Sequence, residues 1–356
     1  MAVTQLNIEA FLTLAQDHPV LDVRSPGEYE HAHIPGAHSL PLFSDEERKA
    51  VGTAYKQESK QQAIKLGLDF FGSKMVKMVD AVENIFASRP KNDHLPAGNR
   101  VLVHCWRGGM RSAGVAWLLD LYGFSVVTLV GGYKTYRHWV LQQFEKPYPV
   151  NIVGGYTGSG KTGLLHQLEK KKEAIIDLEA LASHKGSAFG GLDKITRPSQ
   201  EMFENLLATE LKKKETAPTI WLEDESQRIG LVNIPIAFFN HMRQQQVFFI
   251  DAPFEERLNH IVAEYGSYEK EKLVNAIIRI KKRLGGLETK TAINHLVEDN
   301  VKECFRILLN YYDKLYTKGL HNRENAAALT TRLPVTAIDD RLNAKEILKH
   351  YQKQGA

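Results

Sequence analysis

Cysteine is scarce in this chain. Its 356 residues hold two, Cys105 and Cys304, too few and too far apart for a disulfide framework, so a reducing compartment is expected. Long apolar runs are missing too. The most apolar stretch, residues 113–133, is interrupted by Asp120 and Gly123 and is β-branched toward its end. It reads as helix, turn and buried strand, and no membrane span is expected. The opening residues MAVTQLNIEAFLTLAQDHP lack a basic n-region, which argues against a secretory signal and for a cytoplasmic protein. No internal repeat and no low-complexity segment interrupts the chain. An excess of one charge is nearly absent: 46 Lys and Arg against 42 Asp and Glu leave a formal +4. That balance is compatible with a polyanionic partner but too small to require one.

What remains is an ordinary globular composition, 43% hydrophobic and 25% charged, in a chain long enough for two cores. Strands are expected at 20–23, 100–104 and 126–130, with an amphipathic helix over 74–87. Alternation of strand and helix implies an α/β sheet. Lys146-Pro-Tyr-Pro149 disfavours regular structure and marks a junction. The expected domains are residues 1–145 and 146–356. The second begins as another α/β unit, with strands at 150–153, 174–177, 219–222 and 247–250. From Glu255 onward the pattern is helical, with apolar stripes Leu258, Ile261, Val262, Tyr265; then Leu273, Ile277, Ile278, Ile280; then Val301, Phe305, Leu308, Leu309, Tyr312. A terminal helix is expected after Ala344.

The first chemical motif is His104-Cys-Trp-Arg-Gly-Gly-Met-Arg-Ser112. Cys105 closes a strand, and a helix starts near Arg111. Backbone N–H groups of the loop, the helix dipole and the charges of Arg107 and Arg111 all favour a thiolate, the attacking form. The spacing Cys-x5-Arg also fits cysteine-dependent phosphatases, in which the arginine grips a phosphate. His31, His33 and His38 lack the spacing of a structural metal site, and none is expected.

The second motif is Gly155-Tyr-Thr-Gly-Ser-Gly-Lys-Thr162, between a strand and a helix. It fits the phosphate-binding P-loop: Gly155, Thr157, Gly158, Ser159 and Gly160 shape a cradle of N–H groups, Lys161 reaches a terminal phosphate, and Thr162 is the candidate Mg²⁺ ligand. No tightly bound cofactor is expected beyond that ion. Asp177, Glu179 and Asp224 are candidate acids, with Asp224 preferred over Glu223 and Glu225; capping of helices is the competing role. Lys185, Arg197, Lys281, Lys282 and Arg283 are candidates for an RNA backbone, and the loop from His184 to Gly191 for closing over a ligand.

Leu21-Asp-Val-Arg-Ser-Pro-Gly-Glu-Tyr-Glu, His31-Ala-His-Ile-Pro-Gly-Ala-His38, the Cys105 loop and Leu129-Val-Gly-Gly-Tyr-Lys-Thr-Tyr-Arg137 together resemble the rhodanese fold. With the P-loop, Asp177-Leu-Glu-Ala-Leu-Ala-Ser-His-Lys-Gly-Ser-Ala-Phe-Gly190 and Trp221-Leu-Glu-Asp-Glu-Ser-Gln-Arg-Ile-Gly230, the whole chain resembles the tRNA 2-selenouridine synthase family. The resemblance implies a rhodanese-like domain joined to a P-loop NTPase-like α/β domain with a helical C-terminal extension. It implies action on wobble 2-thiouridine of tRNA: S-geranylation from geranyl diphosphate, then exchange for selenium from selenophosphate, with a selenophosphate-producing enzyme as a candidate partner. Cys105 would relay selenium or carry an intermediate. The residues alone leave other readings open: a cysteine phosphatase or sulfurtransferase fused to an ATP-dependent kinase-like domain, or a non-catalytic tRNA binder.

Overall fold

In the computed structural model, described over residues 3–88, 98–184, 196–321 and 323–354, the chain divides between Gln143 and Phe144. The first unit is built on five parallel strands, β1 (Thr4–Leu6), β2 (Val20–Asp22), β3 (His38–Ser39), β4 (Arg100–His104) and β5 (Ser125–Leu129), in the order β1-β5-β4-β2-β3. Both faces of the central strands are covered, so they are nearly continuous apolar runs. Leu21, Val101 and Val103 pack against Val115 and Leu119 of the helix Met110–Tyr122 and Val82 of the helix Met75–Ala87. Gly123, at φ +114°, ends the first of these helices in the left-handed region, where glycine carries no Cβ penalty.

The second unit carries β6 (Val150–Gly155), β7 (Ala174–Ile176), β8 (Ile220–Glu223), the short antiparallel pair β9 (Arg228–Ile229) and β10 (Val232–Asn233), β11 (Val247–Asp251) and β12 (Thr330–Pro334). Its main sheet is parallel, in the order β12-β11-β6-β8-β7. The P-loop strand β6 is therefore central. Four helices, Phe254–Tyr265, Lys270–Leu284, Gly286–Val297 and Val301–His321, close a second core around Leu258, Ile277, Phe305 and Leu309.

Three expectations need correction. Ile278 is half exposed, and Ala276 takes its place in the stripe beside Leu273 and Ile277. Residues 330–334 form a strand within the stretch read as helical, paired to β11; only Leu333 is buried there, so no apolar alternation marks it in the sequence. The terminal helix begins at Asp340, before Ala344. Among the described residues, no helix is long and apolar enough to cross a membrane. In both sheets the chemical motifs sit beyond the carboxyl ends of central strands, where open α/β sheets hold their ligands.

Candidate functional sites

Cys105 follows β4 and is almost fully buried. Its Sγ lies 3.3 Å from the Ser112 hydroxyl, whose single proton can go either to the sulfur or to the Gly109 carbonyl 3.1 Å away; a thiolate draws it to the sulfur. Burial opposes the thiolate. The Ser112 hydroxyl and the backbone N–H groups of Ser112, Gly109 and Arg107 outweigh it, and the thiol is held below its ordinary range. The arginines contribute differently from the expectation. Arg111 Nη1 donates to Glu28 Oε2 at 2.9 Å, Arg48 Nε reaches the same oxygen at 2.8 Å, and Arg107 is exposed. Their charges are spent on a carboxylate and on solvent, so hydrogen-bond donors, not cations, favour the thiolate. Phosphate gripping by Arg111 would therefore have to compete with the Glu28 carboxylate.

The loop is pinned from below. Tyr133 N–H donates to the Cys105 carbonyl at 2.8 Å, and Lys134 N–H to that of Trp106 at 3.0 Å. The approach is so close that a Cβ on Gly132, at φ +61°, would stand 2.3 Å from the Cys105 oxygen and 2.5 Å from Gly108 N. Deeper still lies a charged pair that sequence reading placed in a signature without assigning it a role. Arg24 and Asp22 are both fully buried; Arg24 Nε is 2.9 and 3.0 Å from the two carboxylate oxygens, and Nη2 is 2.5 Å from one of them. Nη2 also donates to the Ala32 carbonyl at 2.7 Å, and the guanidinium lies 3.7 Å over the Tyr133 ring. His104 is buried beside them. Burial pulls its pKa down to about 4 despite Asp22, so the ring is neutral. The signal was an Asp-x-Arg at a strand end, a place for buried charge only if paired. His33 stacks on Tyr29, its Nδ1 2.9 Å from the Tyr29 carbonyl.

In the second unit, β6 runs into the P-loop, and the helix Lys161–Lys170 follows. Gly155, Gly158 and Gly160 all lie at positive φ. Lys161 Nζ folds back onto the Gly155 carbonyl at 3.1 Å, and the Thr162 hydroxyl donates to Glu179 Oε2 at 3.3 Å. The buried Ser159 hydroxyl has no hydrogen-bond partner among the described residues. Arg257, not foreseen, holds the loop: Nη1 donates to the Thr157 carbonyl at 3.1 Å, while the guanidinium pairs with both oxygens of Asp313 at 2.8 Å.

The acids sort by direction. Asp177 caps the helix Leu178–Leu181, accepting from Ala180 N–H at 2.7 Å, with His166 Nε2 3.2 Å from its other oxygen. Asp224, the preferred magnesium partner, points elsewhere: Tyr316 donates to it at 2.5 Å and Arg323 Nη2 at 3.1 Å. Side chains alternate along an extended chain, and Glu223 and Glu225 turn to the loop instead. Both Glu223 carboxyl oxygens are buried, and by distance and angle neither has a hydrogen-bond partner among the described residues. Burial, then Asp177 and Glu179, raise the Glu223 pKa well above its usual range. Burial raises Glu179 against the pull of Lys161. Burial and the charge of Glu179 push Glu225 up to about 8. Glu179, Glu223 and Glu225 thus form a group of carboxyls that favour protons beside the Thr162 hydroxyl, with Lys161 near Glu179 and Glu225. No group of three or more His, Cys, Asp or Glu among the described residues is arranged as a metal site. A P-loop Mg²⁺ needs fewer, since phosphate and water fill its other positions.

The basic candidates are dispersed. Lys281, Lys282 and Arg283 are exposed in the last turn of Lys270–Leu284. Arg197 lies near Arg279, since burial and then the charges of both lower the His184 pKa. Lys185 and the loop residues 185–191 lie outside the described residues. The run Lys212–Lys214 is neutralised by Glu210 and Glu215. Cys304 is buried in the helical core, and burial pushes its thiol up to about 12.

Comparison with known proteins agrees with this geometry. Residues 148–345 match the family model described as tRNA 2-selenouridine synthase AAA domain, and residues 8–138 match the rhodanese-like domain. A tRNA 2-selenouridine synthase of Nitrosomonas europaea is 38% identical over 70% of this chain and 64% of its own length. Proteins of the same name from Hydrogenovibrio crunogenus and Shewanella pealeana are each 34% identical, over 86% and 85% of this chain and 90% and 89% of theirs.

Proposed function

The chain belongs to the tRNA 2-selenouridine synthase family, and from that premise we propose that it is a tRNA-modifying transferase that converts wobble 2-thiouridine to 2-selenouridine. In the first step, the thiocarbonyl sulfur attacks C1 of geranyl diphosphate. A C–S bond forms, the C–O bond breaks and diphosphate leaves. Gly155, Thr157, Gly158, Ser159, Gly160, Lys161 and Thr162 receive that leaving group, and fixed donors aimed at its growing charge lower the barrier. Lys161, whose Nζ lies 3.1 Å from the Gly155 carbonyl, reaches it from within the loop. Mg²⁺ would be held by Thr162 and Glu223, whose buried carboxyl oxygens suit a hard cation, and would neutralise diphosphate charge.

In the second step, the alkylated sulfur is a better leaving group. The Cys105 thiolate attacks C2 of the base, geranylthiolate departs and takes a proton from solvent. Selenium of selenophosphate then attacks C2, the Cys105 thiolate leaves, and water cleaves the Se–P bond to release phosphate. The donors that hold the thiolate suit an oxyanion at the same place.

The observation that carries this reading is a thiol held ready for attack on the same chain as a phosphate cradle beside buried carboxyl groups. The test is mass spectrometry of tRNA nucleosides after incubation with geranyl diphosphate and then selenophosphate. S-geranyl product is expected in Cys105→Ala without seleno product, and neither in Lys161→Ala. Full selenium exchange by Cys105→Ala removes the covalent step; absence of both products from the wild-type chain removes the whole reading.

A further inference from the structure

Arg323 follows the helix Val301–His321, and its side chain is enclosed, 4% exposed for the residue. Nη2 donates to Asp224, but Nε and Nη1 reach no hydrogen-bond partner among the described residues. Buried guanidinium donors are normally all satisfied, and an orphaned pair calls for a water or an ion. Arg243, at the end of the helix Ile236–Arg243, stands by. Its Nη2 donates to the Gly319 carbonyl at 2.8 Å. Burial, and next the charge of Arg323, lower its pKa, so the two cations are near neighbours. One carboxylate, Asp224, faces both. Asp224 is already taken on its other oxygen by Tyr316, whose hydroxyl also accepts from Gly155 N–H at 3.4 Å. Two guanidinium groups, one shared counter-charge among the described residues and unused donors make a place short of one negative charge. It is divided from the P-loop by Tyr316.

We infer that Arg243 and Arg323 form a second anion site, distinct from the P-loop, that takes one phosphate group. Guanidinium donors match phosphate oxygens in geometry as well as charge. Arg243, half-buried, is the side from which the anion enters, and Arg323 is the buried anchor. Asp224 orients Arg323 and is not a magnesium ligand in this arrangement. The phosphate has two sources, the backbone of RNA or a free phosphoanion. The RNA source rests on the proposed tRNA-modifying function; the site itself does not.

The probe for the site is inorganic phosphate, titrated calorimetrically into the full chain carrying Lys161→Ala, which disarms the P-loop. Saturable binding of one phosphate is expected, weakened about ten- to hundredfold by Arg243→Gln, in line with the loss of a charge-assisted hydrogen bond. Arg323→Gln should do the same, and its melting curve shows whether the fold persists; if it unfolds, Arg243→Gln alone decides. No saturable binding, or binding indifferent to Arg243→Gln, overturns the inference and leaves water as the partner of Arg323. The source is read from tRNA binding against salt with Lys161 intact. If the anion is a backbone phosphate, Arg243→Gln reduces the slope of log K against log salt by about 0.7–0.9. If it is a free phosphoanion, the slope is unchanged while phosphate binding still falls. Failure of the wild-type chain to bind tRNA counts against the proposed function and leaves the phosphate result standing.

Discussion

Replacing Ser112 by alanine separates two accounts of the Cys105 thiolate. In the structure the Ser112 hydroxyl is 3.3 Å from the sulfur, while Arg111 is held 2.9 Å from Glu28. A hydrogen bond to a charged group contributes roughly 1.5–3 kcal/mol, and each 1.36 kcal/mol is about a tenfold change in ionisation. Ser112→Ala should therefore cut the thiolate fraction at neutral pH at least about tenfold and move the ionisation midpoint upward. Arg111→Ala should move it far less, since that charge is already paired. The assay is the pH dependence of iodoacetamide alkylation at Cys105, followed by intact-protein mass spectrometry. Cys304, buried and pushed up to about 12, stays unmodified and leaves a single reporter. If Ser112→Ala leaves the midpoint in place and Arg111→Ala raises it, the donor account is wrong and the cation account right.

Arg24→Ala leaves the Asp22 carboxylate buried and unpaired, and should destabilise the first unit by about 3–5 kcal/mol, read as an earlier urea transition. The raised pKa values of Glu179, Glu223 and Glu225 mean that the native state binds more protons than the unfolded chain above the ordinary carboxylate range. Their contribution is present below that range and is lost as pH rises toward about 8, so the second unit should melt earlier at pH 8 than at pH 6, and less so in Glu225→Gln. The same groups must lose protons to hold a cation. Mg²⁺ affinity measured by calorimetry should therefore rise from pH 6.5 to 8.5, and a flat profile would remove these carboxyl groups from the ion site. Glu223→Gln should weaken that affinity more than Asp224→Asn, the reverse of the order expected from sequence.

Both motifs were legible because each is a feature of the backbone. A cysteine ending a strand before Gly-Gly and a helix, or a glycine-rich loop between strand and helix, fixes where N–H groups point whatever surrounds it. The domain that carries each was legible for the same reason, from parallel strands buried on both faces. Side-chain direction was not. Three acids in a row at 223–225 look alike in sequence, and the direction each takes beyond β8 decides that Glu223 and Glu225 meet Glu179 while Asp224 meets Arg323. The roles of Arg111 and Arg257 depended on partners 83 and 56 residues away, and spacing along the chain does not identify such partners. The strand at 330–334 owes its existence to the free edge of β11, not to its own residues.

The close seat of the Cys105 loop on Gly132 has an evolutionary consequence. The loop's course is fixed by main-chain contacts to Tyr133 and Lys134 and by a glycine with no room for a Cβ, whereas Met110 is exposed and Trp106 is exposed on the side away from the Tyr133 ring it meets. Heritable change at the outward positions leaves the sulfur's donors untouched, and change at Gly132 abolishes them together. Such a loop can drift in what it recognises across lineages while its nucleophile stays constant.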